Sequence, residues 1–163
     1  MRAPRWADLD DMVKFVNSLV EEGSEIGTTQ KITRDFEVDW LARHIVDLEK
    51  DMKVAIVAEV NGMFAGQVEV RPLKGSSQHV GDLIIALFNS YRDIGIGTEM
   101  MKEAEIQARR IGLEIITLKV YASNNRARHV YKKLGYQVVG CIPKGFLRNG
   151  SYTDKIIMMK NIL

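Results

Sequence analysis

The chain has 163 residues, 46% hydrophobic and 27% charged, with one cysteine; this fits a single compact domain over 1–163 and excludes a disulfide framework or a multi-cysteine metal site. Its longest apolar run, 83–88, is far short of the ~20 residues that span a bilayer, and residues 1–8 lack a signal peptide's apolar core, so a soluble cytoplasmic domain with no membrane partner is expected. A net charge of +2 argues against a nucleic-acid partner, although residues 1–81 carry 10 basic and 14 acidic side chains and 82–163 carry 13 and 7; the asymmetry suits a cationic ligand on one half and a polyanionic one on the other, or arises by chance.

Met1 to Trp6 reads as a short strand and Asp8 as the N-cap of a helix with Leu9, Met12, Val13, Val16, Leu19 and Val20 at helical spacing. A second amphipathic helix fits 35–50, with Phe36, Trp40, Leu41, Ile45 and Leu48 on one face. The polar segment between them, 21–33, carries Glu21, Glu22 and Glu25 and is the kind of loop that lines a site. Strands follow at 54–60 and 63–71 around an Asn61-Gly62 turn, then at 79–88. A helix opens after Arg92-Asp93-Ile94-Gly95-Ile96-Gly97-Thr98 and ends at Gly112, with Met101, Ala104, Ala108 and Ile111 facing the core. A strand at 115–121, a short helix at 124–134 and two strands at 136–142 and 154–162 complete the chain. The order β-α-α-β-β-β-α-β-α-β-β makes an α/β (α+β) domain built on a mixed sheet flanked by helices.

The most informative stretch is strand-Arg92-x-x-Gly95-x-Gly97-helix. Two glycines two apart let the backbone curl so that successive N–H groups point at one spot, and the new helix adds its own unpaired donors. Such a site suits phosphate oxygens, with Arg92 at its rim; an ordinary glycine turn before a helix is the alternative. Position 100 is Met, so the dinucleotide fingerprint fails, and the Gly-Lys-Ser/Thr of a Walker motif is absent.

The stretch resembles the Gln/Arg-x-x-Gly-x-Gly/Ala loop of the GNAT N-acetyltransferases. A second block, Asn124-x-x-Ala127-x-x-x-Tyr131-x-x-x-Gly135-Tyr136, resembles that family's segment at the expected distance, and the likeness runs over nearly the whole chain. The resemblance implies a mostly antiparallel sheet of about seven strands, splayed in the middle, with about four helices. It implies acetyl-CoA as co-substrate and no metal. It places Ile85, Ala86 and Leu87 along the pantetheine arm, and the amides of Arg92, Asp93, Ile94, Gly95, Ile96, Gly97 and Thr98 on the pyrophosphate. Asn124 and Ala127 would hold the arm near the last helix, and Lys132, among Arg126, Arg128 and Lys133, would reach the adenosine 3′-phosphate, with a solvated basic face as the alternative. Tyr131 would be the general acid, with a packed tyrosine as the alternative reading.

For the base, Asp82 stands where a subgroup of the family has Glu, the alternative being that it only caps its strand or pairs with a nearby cation; His79, or water, is the other choice. Lys119 occupies a position where some protein N-terminal acetyltransferases carry a Glu. The implied reaction is acetyl transfer to a primary amine, by direct attack in a ternary complex. The acceptor would be an amino acid, polyamine, antibiotic-like amine or protein N-terminus, small molecule or peptide. A CoA-binding module without turnover is the alternative, and a homodimer through a sheet edge is compatible with either. Cys141, in an apolar strand, is expected to be a buried, inert thiol. The spacings of His44, His79 and His129 make no metal motif.

Overall fold

A computed structural model describes residues 1–24, 26 and 28–163. Its helices are α1 (Leu9–Glu21), α2 (Arg34–Glu49), α3 (Ile96–Arg110) and α4 (Asn125–Lys133); its strands are β1 (Val54–Val60), β2 (Met63–Pro72), β3 (Val80–Leu87), β4 (Ile115–Tyr121), β5 (Gln137–Arg148) and β6 (Ser151–Asn161). The strands form one sheet in the order β1-β2-β3-β4-β6-β5. Only β3 and β4 run parallel, because α3 carries the chain back between them. The expected N-terminal strand is reduced to a single bridge, Arg2 to Val57. Asp8 precedes α1 without capping it, since its carboxylate accepts from the Arg2 guanidinium and from the Arg5 N–H. Among the described residues no helix is long and apolar enough to cross a membrane.

Alternation along the strands divides the core in two. Ile56, Ala58, Val68, Val70 and Leu83 pack with Met100, Met101, Ala104 and Ala108 of α3, and Ala127 and Tyr131 of α4 join them with Leu134, which caps its end. Val57 and Phe64 face the other way, onto Leu9, Met12, Phe15 and Leu19 of α1 and Leu41 of α2. The helices therefore sit on both faces, with β3 shared by the two layers. Between Ala58 and Glu59 the pairing with β2 shifts, leaving Ala65 as a bulge. At the next residue, Gly66, a Cβ would fall 2.4 Å from the Ala86 carbonyl oxygen and 2.8 Å from Leu87 Cα. Only glycine lets β2 approach the end of β3 so closely.

The hairpin Asn61-Gly62 has both residues at positive φ, as a type I′ turn requires, and Asn149-Gly150 repeats this at the β5–β6 turn. The last two strands are longer than the sequence pattern predicts, because the hairpin continues past a register shift at Ile142/Phe146. β5 is an edge strand partnered only by β6, so Cys141 is exposed rather than buried.

The buried face of α2 keeps Trp40, Leu41 and Ile45 of the expected apolar stripe but also takes in polar side chains. Phe36 points to solvent, whereas Glu37, Leu41 and His44 are buried. His44 bonds Glu69 of β2 at 2.8 Å and stacks on Trp40, and Arg71 donates to the other Glu69 oxygen at 2.6 Å. Burial alone would raise the Glu69 carboxyl, but the hydrogen bonds from His44 and Arg71 prevail and bring it down to about 2.

Glu37 has no such support, and burial pushes its carboxyl up from 4.5 to about 7. A group whose native pKa lies above its unfolded one keeps a proton that the unfolded chain releases, so its penalty develops as pH rises from about 4.5 to 7. The full penalty is at most about 3 kcal/mol. The Tm advantage of Glu37→Gln over the parent should therefore grow by several degrees between pH 5 and pH 8. Melting both proteins at the two pH values checks this; an unchanged gap would show that Glu37 is ionised throughout.

Candidate functional site

β3 and β4 pair only from Val80–Ile115 to Leu83–Leu118 and then part. Beyond that point β3 keeps β2 on one side, through Leu87, and β4 keeps β6. Backbone groups of an antiparallel strand alternate in direction. Val80 and Phe88 bond toward β2, whereas the Gly81 and Leu87 carbonyls accept on the β4 side, from Thr117 Oγ1 and Arg92 Nε. The alternation therefore sets the N–H and C=O of Ile85, with the N–H of Leu87, in the gap. Ala86 is different: its backbone faces β2, opposite Gln67. A cleft of about 770 Å³ fills the fork, lined by both strand ends, α1, the start of α3, and α4.

At one end of this cleft the chain turns into α3. Asp93 and Gly95 have positive φ, 65° and 89°. The first hydrogen bond of α3 runs from the Glu99 N–H to the Gly95 carbonyl, so the Ile96, Gly97 and Thr98 amides stand ahead of it. A left-handed residue followed by a right-handed helical start gathers N–H groups into a concave nest, and the helix dipole adds positive potential there.

The two glycines do different work than the sequence suggests. Gly95 supplies the left-handed turn, while Gly97 is a contact residue whose added Cβ would lie 3.2 Å from Leu87 Cδ1. The Arg92 N–H is already spent on the Asn89 carbonyl. Its guanidinium, expected at the phosphate rim, instead holds the Leu87 carbonyl at 2.9 Å, pairs with Glu22 and reaches Ser24 Oγ at 3.3 Å. Ile94 is exposed and Ile96 packs into the core.

α4 forms the opposite wall. Asn124 caps it, its Oδ1 accepting from the Ala127 N–H at 3.0 Å, and the residue also lines the cleft. Ala127, Val130 and Tyr131 line the cleft, and Tyr131 rests against Tyr136 with ring centroids 6.2 Å apart. Arg126 also lines it and bonds Asp93 at 2.7 Å, bridging the mouth between α4 and the glycine loop. Arg128 turns inward to the Ala122 carbonyl. Lys132 and Lys133 are exposed and lie outside the cleft lining.

Asp82 is in the cleft, on the face that carries Ile84 and Ala86, but it is not alone there. Lys119 Nζ donates to both of its oxygens, at 2.9 and 3.0 Å, across the fork. Finding this pair from sequence would have required the β3–β4 register, which sets Asp82 opposite Thr117. His79 sits at the other end of β3, its carbonyl taking the Glu114 and Ile115 N–H groups, and does not line the cleft. Among the described residues no cluster of three His, Cys, Asp or Glu side chains could hold a metal ion.

On the α1 side, Glu22, Ser24, Leu19 and Ile26 reach the cleft. Glu21 pairs away from it with Lys31, and Glu25 lies outside the described residues. Arg148, from the β5–β6 hairpin, donates to the Ser24 carbonyl. The far wall is aromatic, with Phe146 stacked on Tyr121 at 3.8 Å and nearly parallel, and Lys155 over the Phe146 ring. This wall has no counterpart in the sequence reading, which ends its strand at Ile142.

Residues 17–136 match the family model described as "Acetyltransferase (GNAT) family". The L-amino acid N-acetyltransferase AaaT of Escherichia coli K12 is 30% identical over 112 residues, 68% of this chain and 67% of that protein. Among solved structures, the ribosomal-protein-alanine N-acetyltransferase of Brucella melitensis superposes with a TM-score of 0.88 at 21% identity, over 98% of each chain. The Salmonella typhimurium protein yncA, solved with its cofactor acetyl-CoA, gives 0.87 at 17% identity, over 99% of this chain and 92% of that one. The split sheet, the nest at the head of α3 and the matched residues 17–136 lead to one assignment: this chain belongs to the acetyltransferase (GNAT) family of enzymes.

Proposed function

We propose that the chain transfers an acetyl group from acetyl-CoA to the primary amine of a small acceptor, both being bound in the cleft at once. The observation that carries this reading is the juxtaposition of the open edge at Ile85 with the nest at Gly95–Thr98 in one cleft. An extended amide-bearing arm satisfies a bare strand edge, and a pyrophosphate satisfies clustered amides. The residues present thus fit acetyl-CoA. Two of its relatives by structure, yncA and a phosphinothricin acetyltransferase from Sinorhizobium meliloti, were solved with it bound.

Acetyl-CoA supplies an activated acyl carbon: the thioester C–S bond breaks and a C–N bond forms with the acceptor nitrogen, so that an alkylammonium and acetyl-CoA give the acetamide, the CoA thiol and a proton. Ile85 would hold the arm through its N–H and C=O, with the Leu87 N–H beside it. The amides of Gly95, Ile96, Gly97 and Thr98 would hold the pyrophosphate. Arg126, which lines the cleft and now pairs with Asp93 at the start of the loop, would add a charge-assisted contact. An alkylammonium has a pKa near ~10.4, so the acceptor must lose a proton before it attacks. Asp82, on the face of β3 away from α3, is placed to take that proton, through a water where the acceptor amine does not reach it. Tyr131, on the α4 wall, would return a proton to the departing sulfur.

Acetyl-CoA at a hundred times its dissociation constant adds ~2.7 kcal/mol, which raises the midpoint of a domain this size by about 5–10 °C. NAD should produce no shift. Gly97→Val, which presses a branched side chain onto Leu87 and into the nest, should abolish the acetyl-CoA shift. No shift with the parent protein at millimolar acetyl-CoA would overturn the reading. Tyr131→Phe should lower kcat by about 10²–10⁴-fold while leaving the acetyl-CoA dissociation constant within a factor of two or so. Steady-state thiol release together with calorimetric titration separates the two effects, and an unaltered kcat would remove Tyr131 from the acid role.

A further inference from the structure

We propose that Lys119 is a specificity-determining residue that reads a carboxylate placed beside the acceptor amine, so that the cleft selects free α-amino acids over amines lacking that group. The inference rests on the acetyl-transfer reading and adds a residue and a selection rule to it.

Among the described residues, six charged side chains line the cleft, and they form three pairs: Glu22 with Arg92, Asp93 with Arg126, and Asp82 with Lys119. The first two are engaged away from the fork. Arg92 is occupied by the Leu87 carbonyl and Ser24 as well as by Glu22. Arg126 and Asp93 close the phosphate end, one on α4 and the other at the start of the glycine loop. Only the third pair stands in the fork itself, where β3 and β4 have just separated.

Its geometry is open on one side. The Lys119 ammonium has three donors, two of them within 3.0 Å of the Asp82 oxygens, and its side chain is 48% exposed. A further acceptor can therefore reach it without breaking the pair. Asp82 likewise has lone pairs to spare. The pair presents one positive and one negative group about 3 Å apart, which is the mirror image of the charges on an α-amino acid. The acceptor's carboxylate would dock on Lys119 and its ammonium on Asp82, which is also the group placed to take the proton. Beside the pair, Ile84 and the Tyr121–Phe146 stack offer apolar surface for the acceptor's side chain. A plain amine would satisfy Asp82 and leave Lys119 without its second anion. Sites built around a polar group of the substrate discriminate strongly against analogues that lack it.

The test compares kcat/KM for free amino acids and for their carboxamides, with the parent protein, Lys119→Gln, Lys119→Glu and Lys119→Arg. Taking the acid-to-amide ratio within each protein cancels any effect of the substitution on Asp82 as a base. The parent should prefer the acids by at least about tenfold, through KM. Lys119→Gln should bring the ratio at least tenfold down, Lys119→Glu should reverse it, and Lys119→Arg should retain most of it. As a readout that needs no variant, carboxylic acids without an amine should compete with amino-acid acceptors in the parent protein, and amines without a carboxylate should compete less well. An unchanged ratio in a folded Lys119→Gln, or a parent that acetylates carboxamides as well as acids, would overturn the proposal while leaving acetyl transfer intact. Acetyl-CoA binding without turnover of any amine would instead overturn the transfer reading, and this proposal with it.

Discussion

β3 and β4 are hydrogen-bonded over four residue pairs and then diverge. Opening a sheet in its middle is costly, because a buried backbone group left without a partner forfeits about 1–3 kcal/mol. The chain meets that cost in several ways. Arg92 folds back to occupy the Leu87 carbonyl, the last acceptor on the open edge. Asp82 and Lys119 tie the two strands just where the ladder stops. Layers of core on both faces of β3 fix its position, through Leu83 and Ile85 on the α3 side and Ala86 on the α1 side. Gly66 lets β2 close up against its far end. Among the described residues a short stretch around Ile85 is left without a strand partner on the β4 side, and the cleft stands in front of it.

The same economy governs the charges. Each ion pair in the cleft joins two different elements: Glu22 and Arg92 join α1's end to the glycine loop, Asp82 and Lys119 join β3 to β4, and Asp93 and Arg126 join the loop to α4. Pairing cations with anions keeps a cleft of this size from carrying an uncompensated charge in a partly desolvated place. It also means that an anionic ligand at the phosphate end competes with Asp93 for Arg126. The Ile96, Gly97 and Thr98 amides of the nest stand ahead of the bond from the Glu99 N–H to the Gly95 carbonyl. They carry fixed dipoles that are already oriented, and so they form the part of the site that is ready before anything binds.

Much of this arrangement was legible in the sequence, though unevenly. β1, β4 and the glycine-closed ends of α3 and α4 follow directly from hydrophobic period and from Gly112 and Gly135, both at positive φ. The Arg92-x-x-Gly95-x-Gly97 stretch marks the nest. Its individual roles were not readable, because an identical residue type serves a left-handed turn at Gly95 and a close contact at Gly97. Asn124 shows the same ambiguity, since a helix cap and a ligand contact both call for a short polar side chain. Partners were hidden altogether. Lys119 lies 37 positions from Asp82, and Glu22 lies 70 from Arg92. Periodicity templates count apolar residues, so they assign α2 an apolar face that includes the exposed Phe36 and pass over Glu37 and His44, which it buries together with Leu41. Cys141 fails for a related reason: a strand pattern says which residues alternate, not whether the strand lies at an edge.

Position 119 shows how far a single residue can redirect a site without altering its fold. A carboxylate there would face Asp82 across the fork, and two anions about 3 Å apart would drive one of them to hold a proton. The lysine does the opposite. It bonds both Asp82 oxygens, so that the centre of the cleft holds two opposite charges side by side, a local dipole rather than a single charge. A neutral centre does not attract a polyamine or any other bare cation over distance, since its field falls off faster than that of a single charge. It does reward a ligand that brings both signs at the right spacing. The backbone fork and the nest are thus indifferent to the acceptor, and selection among amines rests on side chains that the fork exposes, Lys119 foremost among them.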